Sequence, residues 1–495
     1  MSAVPFKNIP AGIRVPLFYA ELDNSRANSA SANLRALVIG QITAAGTATP
    51  GVPAISQGVG DAEVLGGPNS MLALMTAAYR LNDTFGEVWY LPLADNGAAT
   101  AAAGSLAVTS SPTASGTLSL YLAGKLYPVP VLPTQTAAQI ASAIVAALAA
   151  DATCPVAAVV DAVTNTKVDL TAVNKGPCGN DIDIRLNYGG ARNGEATPAG
   201  MAVTITPMSG GATPPDLTTP LANLGDTTFD FIALPYTDST SLGEVAAFLN
   251  DTTGRWSWAQ QLYGGALTAY RGTVGAQTTL GTGLNDQHTS VMGFYDSPTP
   301  NWIWAAALAG AAATSIRVDP ALPLQTLALA GVLAPPVESR FALTDRNTLL
   351  YDGISTFTVD DSGTVRIENL ITTYQKNAWG SPDNSYLEVE TMYTLAAVLR
   401  QMRTAVTTKY ARTKLAANGT RGPGIVTPNM IRAEIISEYK RMELNQGWVQ
   451  NATAFAQALI VEQNAQNPNR VDVLWPGTLV DQLRIFAVLA QFRLQ

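Results

Sequence analysis

The sequence predicts a multidomain chain of mixed α/β and α+β class. It has a mostly parallel α/β sheet domain, an α+β module inserted into it, a C-terminal α+β domain and an extended arm at each end. Three observations carry this reading. Apolar runs of strand length alternate with segments of helical spacing between Leu34 and Ala313, the pattern of a parallel sheet covered on both faces. Between about residues 96 and 215 the alternation is interrupted by a stretch of different composition. A length of 495 residues also exceeds what one ordinary domain holds.

The first element is an arm, residues 1–25. Pro5, Pro10 and Pro16 deny it a helix. Val15, Leu17 and Tyr19 alternate with Pro16, Phe18 and Ala20, which is strand-like material that needs a sheet to join. The sheet domain, residues 26–97 and 215–340, opens with Leu34–Ile42, a continuous apolar run of the buried-strand kind. Asn69 reads as the N-cap of a helix carrying Met71, Leu72, Leu74, Met75 and Ala78, and Glu87–Leu93 is a second strand. The pattern resumes with strand Phe229–Leu234, helix Ser241–Leu249, strand Thr289–Tyr295 and helix Trp302–Ala313. That last stretch is the most apolar, but it is too short and alanine-rich to span a membrane.

The inserted module, residues 98–214, has low-complexity edges. Within it, Thr117–Leu122 and Leu126–Leu132 form a hairpin about Gly124-Lys125. A helix, Thr136 to Ala149, follows, then strands near Val156–Val160, Val168–Val173, Ile182–Leu186 and Ala202–Thr206. Insertion at an exposed loop with nearby ends is physically tolerated, so the module is expected to fold alone and face outward. The C-terminal domain, residues 341–482, brings Ser355–Val359, a turn at Asp361-Ser362-Gly363 and Val365–Leu370. Helices over Ser385–Ala417 and Pro428–Asn445 and a strand at Val471–Leu474 complete it. The chain closes on an apolar stretch, Leu483–Leu494, broken by Arg484, Gln491 and Arg493. This is a second arm, residues 483–495.

Chemistry was sought along the same path. The single histidine, His288, precedes an apolar strand and reads as a loop residue at its entrance, and no Ser-His-Asp or Cys-His set is available without it. No phosphate loop occurs, and Gly281-Thr282-Gly283 lacks the third glycine of the dinucleotide fingerprint. Asp181 and Asp183 share one strand face, but without a third ligand they read as a solvent-facing edge. Asp360-Asp361-Ser362-Gly363 is a turn. Cys154 and Cys178 make no disulfide framework and suit a reducing compartment, and Met1–Pro16 has no export signal. No catalytic, cofactor-binding or metal-binding residue is assigned, which disfavours an enzyme.

Charge points towards assembly. Only 13% of residues are charged, about half the usual share, and such a surface is more comfortable against partners. Residues 1–399 hold 17 Lys+Arg against 31 Asp+Glu, whereas residues 400–495 hold 12 against 6. The densest basic run is Arg400, Arg403, Lys409, Arg412, Lys414 and Arg421, with no acid among them. In an acidic protein with only Tyr410 interleaved, the residues alone leave an acidic protein partner and nucleic acid both open.

The ends carry a resemblance. Asn8-Ile9-Pro10, then Arg14-Val15-Pro16-Leu17-Phe18-Tyr19-Ala20-Glu21-Leu22-Asp23-Asn24-Ser25 and Leu34–Gly40, resemble the opening of tail sheath proteins of Mu-like contractile-tailed bacteriophages. Phe341-Ala342-Leu343-Thr344, Leu349-Leu350-Tyr351-Asp352-Gly353-Ile354-Ser355 and Ile367-Glu368-Asn369-Leu370-Ile371-Thr372-Thr373-Tyr374 are similar to the segment entering the family's C-terminal domain. Arg470-Val471-Asp472-Val473-Leu474-Trp475-Pro476 and Leu483–Leu494 are similar to its closing strands.

The resemblance implies a virion structural protein that polymerises as helically stacked rings, hexameric in the family, around an inner tail tube. It implies contraction that drives the tube through the host envelope, and assembly into the virion tail in the host bacterial cytoplasm. Implied partners are further copies of the chain, the tail tube protein, and baseplate and tail terminator proteins. Nucleic acid, direct membrane insertion and cofactors are not implied. The arms, through Val15, Leu17 and Tyr19 at one end and Ile485, Ala487 and Leu489 at the other, would add strands to neighbours' sheets. With the C-terminal domain innermost, the six basic residues become candidates to face the tube. A headless bactericidal particle's sheath, or a non-contractile shell or array protein, is the alternative.

Overall fold

A computed structural model of the chain describes residues 34–493. The N-terminal arm with Val15, Leu17 and Tyr19 therefore lies outside the described residues. The class is mixed α/β and α+β, in several packed units.

At the centre is a six-stranded sheet ordered Thr289–Phe294, Gly265–Arg271, Phe231–Ala233, Ala36–Gln41, Val88–Leu93, Ala54–Ile55. The first five are parallel, and Ala54–Ile55 runs antiparallel at the edge. Every residue of Ala36–Gln41 is buried, as a continuous apolar strand requires when both faces are covered. The chain builds outward from it to Val88–Leu93 on one side, then returns to build the remaining strands on the other. The order therefore reverses between Ala36–Gln41 and Phe231–Ala233.

Several elements were not expected, among them a strand and a helix after residue 260. The strand Gly265–Arg271 is rich in Gly, Ala and Thr rather than Val and Ile, and the helix Val274–Thr282 holds two glycines and three threonines. One expected cap is displaced. Ser70, not Asn69, accepts from Ala73 N at 3.1 Å to start the helix Met71–Asn82, because Asn69 falls one residue too early to reach the first turn's free N–H groups.

The apolar helix is longer than expected, Asn301–Val318, and is buried nearly all round. It packs on the sheet and on Met71–Asn82. At the crossing, a Cβ on Gly310 would lie 2.6 Å from Tyr79 O, so only glycine allows the approach. Trp304 is fully buried and stacks on Phe294 with centroids 4.6 Å apart. No helix among the described residues is long and apolar enough to cross a membrane.

The insert holds two antiparallel sheets with the helix Ala137–Ala149 against both. A capping box, Thr136 with Gln139, starts that helix. One sheet pairs Lys125–Val131, Gly116–Leu122 and Ile184–Leu186. The other runs Ala202–Ser209, Ala103–Ser110, Lys167–Ala172, Val156–Val160. Ala103–Ser110 was hidden in sequence by its small residues. Nor is the module closed off on its own, because its core runs without a break into that of the sheet domain.

The same core continues past residue 341. Strands Thr356–Val359 and Val365–Asn369 form the expected hairpin, and Phe357, Val365 and Ile367 pack with Trp304 and the sheet. A separate core lies further on, where Tyr439 stacks on Phe455 at 3.7 Å beside Val398, Ile431, Ile435 and Val449. The helix Val389–Tyr410 leads into this second core, and Pro428–Arg441, with Thr427 as its N-cap, crosses it. The first helix is shorter than its sequence span, and the second covers its span by passing into a π-helical turn at Met442–Gln446. The first stops where Thr413 and the glycines 419, 422 and 424 begin, and the second ends in a wide turn closed by Gly447 at φ 67°.

Gly310→Ala tests the helix crossing. Helix propensity alone favours alanine by about 1 kcal/mol, yet the backbone clash should destabilise the protein by about 1–3 kcal/mol. Denaturant unfolding of the variant reads the sign.

Candidate assembly interface

In doubly wound sheets ligands bind at the strand C-terminal ends where the order reverses. Here that crevice is filled by the chain's own insert. Gln41, fully buried, donates through Nε2 to Asp95 Oδ1 (2.6 Å) and Lys175 O (2.7 Å), and accepts from the Tyr236 hydroxyl (3.2 Å). Lys175 N donates to Asp95 Oδ2, Asn174 accepts from Met71 N and donates to Ile42 O, and Cys178 Sγ donates to Pro235 O. The segment from Asn174 to Cys178 thus occupies the place a ligand would take.

The aspartates once read as a solvent-facing edge act as bolts instead. Asp181 ends the 3-10 turn Pro177–Asp181 and accepts from Arg271 Nε at 3.2 Å, while Arg271 also donates to Ser297 O and Thr299 O. Asp183 takes both Nε and Nη2 of Arg185, whose Nη2 also reaches Asp296 at 3.0 Å. Both arginines join the insert to the sheet domain. The sequence missed this because Arg271 and Asp296 lie about a hundred positions from their partners.

His288 is buried, stacks on Trp256 at 4.5 Å and shares a 2.9 Å hydrogen bond between Nε2 and Asp251. The space beside it, about 20 Å³, has room for little more than one water. A cleft of about 230 Å³ lies between Gly293, Arg340, Phe341, Arg346 and Phe357, where Arg346 is already paired with Glu368. Asp360 accepts from Ser362, Thr364 and Arg366 and is the expected turn. Among the described residues no three His, Cys, Asp or Glu side chains gather as metal ligands.

The six basic residues divide. Arg400 is largely buried, with Nη2 2.5 Å from Asp230 Oδ1 and donating to Tyr263 O. Lys409 pairs with Glu434 on the neighbouring helix. Lys414 Nζ approaches Pro423 O at 3.4 Å. Arg403, Arg412 and Arg421 are exposed and form no ion pair among the described residues. Arg400 and Arg403, both candidates to face the tube, do different things: one closes onto the sheet domain and the other meets solvent.

What remains unpartnered is the C-terminal segment. Ile485, Phe486, Val488, Leu489 and Phe492 are 70–86% exposed, and Ala487 beside them is exposed too. The described part of this arm makes no strand, because nothing among the described residues pairs with it. Nearby in sequence, the hairpin Ile460–Gln463 with Val471–Leu474 has an outer edge on each strand free of partners among the described residues. Ile460, Val473 and Leu474 are themselves substantially exposed. Such open edges can take a peptide strand by extension of the sheet.

Comparison with known proteins is consistent in kind. Residues 210–373 match the family described as phage tail sheath protein central domain, and residues 381–493 match phage tail sheath C-terminal domain. The chain is 39% identical over 495 residues to the Mu-like prophage FluMu tail sheath protein of Haemophilus influenzae, covering 99% of each. Among solved structures it is similar to a sheath tail protein of Desulfitobacterium hafniense, at 15% identity over 95% of this chain and 97% of that one, with TM-score 0.48. Another is a sheath tail protein of Listeria innocua, at 13% identity over 91% and 93%, also at TM-score 0.48.

The divided basic run yields a paired prediction. Arg400→Glu should destabilise the fold by about 3–5 kcal/mol, because it leaves Asp230 buried beside a second acid. Arg403→Glu should stay within about 0.5 kcal/mol of the parent. Thermal or denaturant unfolding of both variants separates the two roles.

Proposed function

The chain belongs to the phage tail sheath protein family, and from that premise we propose that it polymerises as helically stacked rings around an inner tail tube and contracts to drive the tube through the host envelope. As a family member it is a structural component of a phage tail. The observation that carries the assembly reading is the C-terminal segment, a run of exposed Ile, Phe, Val and Leu side chains beside a hairpin with open edges. Both faces of that segment are apolar, so it suits a strand covered on both sides. A contact that passes from one copy to the next without closing propagates as a helix.

In this reading residues 1–25, through Val15, Leu17 and Tyr19, and the C-terminal arm, through Ile485, Ala487 and Leu489, tie neighbours together. The second core faces the tube, and the exposed Arg403, Arg412 and Arg421 meet acidic groups there. Arg400 and Lys409, engaged within the chain, contribute to the fold instead. The insert, residues 98–214, faces outward but remains bolted to the sheet domain. Baseplate and terminator proteins meet the ends of the assembly, and the role is mechanical rather than enzymatic. Contraction draws on rearranged subunit contacts rather than on a nucleotide, from an extended state that persists kinetically.

The test is assembly of the purified protein. The full chain should form open-ended tubes in electron micrographs and sediment as a polymer. Chains lacking residues 2–22 or residues 485–495 should remain folded by circular dichroism and sediment as monomers. Flat sheets from the full chain would favour a shell or array protein, and tubes from both truncated chains would sink the arm reading.

A further inference from the structure

The roots of both arms converge on one helix. At the N-terminal side, Arg317 Nε donates to Leu34 O at 2.8 Å, and Arg35 N donates to Asp230 Oδ2 at 3.0 Å. The other oxygen of that buried carboxylate takes Arg400, which projects from Val389–Tyr410. Tyr393 of the same helix stacks on Phe231 and donates its hydroxyl to Asp230 O at 2.8 Å.

At the C-terminal side the chain leaves the second core after Thr478–Leu479 and returns to the sheet domain. Gln325 Nε2 donates to Leu483 O, and Arg484 Nη2 lies 2.7 Å from both Glu388 Oε2 and Glu390 Oε2, at the start of the same helix. Glu390 has no exposure, and its other oxygen accepts from Leu324 N at 2.7 Å. Arg484 is itself mostly buried, so this is not a loose surface pair. One residue later every large apolar side chain points to solvent.

We propose that the helix Val389–Tyr410 joins the roots of the two arms within one subunit, with Arg484 the positioning residue that fixes where the C-terminal arm departs. The inference rests on the reading that the arms bind neighbouring copies. Ten residues separate Glu390 from Arg400, about 15 Å along a helix. A pull on the C-terminal arm therefore passes from Arg484 to Glu390, along the helix, and through Arg400 to Asp230 and the N-terminal lead-in. The second core packs on the same helix through Val398, between those two points. Arg484 is thus more than a polar break in an apolar tail.

Trypsin reads the clamp directly in the full chain, because Arg484 is its own cleavage site. Glu390→Gln keeps an oxygen for Leu324 N and removes the charge held by Arg484. Cleavage at Arg484 should rise about tenfold in that variant, while cleavage at the exposed Arg470 stays unchanged. Equal cleavage at Arg484 in variant and parent would overturn the proposal. If Glu390→Gln fails to fold, Glu388→Gln, which is less buried, takes its place with the same expected direction. In assembled tubes, Glu390→Gln should lower the guanidinium concentration at which they come apart. Tubes as resistant as the parent's, when removal of residues 485–495 abolishes assembly, would refute the clamp and leave the arm reading intact. Assembly without residues 485–495 would instead refute the arm reading.

Discussion

A single buried carboxylate holds the architecture in register. Asp230, 2% exposed, stands at the entrance of the strand Phe231–Ala233, where the lead-in to Ala36–Gln41, the strand Gly265–Arg271 and the helix Val389–Tyr410 meet. Its side chain takes Arg35 N and Arg400, and its carbonyl takes Gly265 N and the Tyr393 hydroxyl. Burial pushes the carboxyl above the usual range, and Arg400 pulls it back down. A charge in such a place is tolerable only when paired and hydrogen-bonded. Asp230 therefore dictates where the long helix sits on the sheet, and with it where the second core begins.

The other end of the sheet shows what this scaffold does with the place where parallel sheets usually take ligands. Parallel sheets of this kind are common enzyme frames, and fold alone does not say which use is made of one. What decides is the crevice at the order reversal, and there Gln41, Asp95, Asn174 and Lys175 satisfy one another. The insert that fills the crevice is also bolted by Asp181–Arg271 and Asp183–Arg185–Asp296. Burial raises the Asp181 carboxyl to about 6 against the pull of Arg271, the mark of a group enclosed by the joint. The insertion therefore serves as a plug.

The sequence made legible whatever depends on local pattern. Ala36–Gln41, Val88–Leu93, Thr289–Phe294 and the helix around Trp304 announce themselves by continuous apolar character, and the hairpin about Gly124 by its turn. Gly265–Arg271 and Ala103–Ser110 did not, because Ala, Gly, Ser and Thr form strands here under tertiary packing rather than by their own preference. The terminal arm was legible as an apolar stretch, and its large side chains are exposed. The division of the basic run was not. Whether Arg400 faces a partner or the protein's own Asp230 depends on a contact 170 positions away, and charge patterning carries no record of it. Arg484 left a faint signal, a cation that breaks an apolar run.

The arm's energetics fit a lattice better than a permanent dimer. Five large side chains, Ile485, Phe486, Val488, Leu489 and Phe492, are available for burial, at about 1.5–3 kcal/mol each. Ordering the nine residues 485–493 opposes this by about 1–2 kcal/mol per residue in backbone entropy alone. The two terms nearly cancel, so one arm on one neighbour holds weakly unless strand pairing and a fixed root tip the balance. A fixed root lowers the ordering cost because the arm starts from a defined point beside Glu390. In the proposed assembly each such linkage is reversible alone and firm in number, a combination that suits a sheath proposed to rearrange without losing its connections.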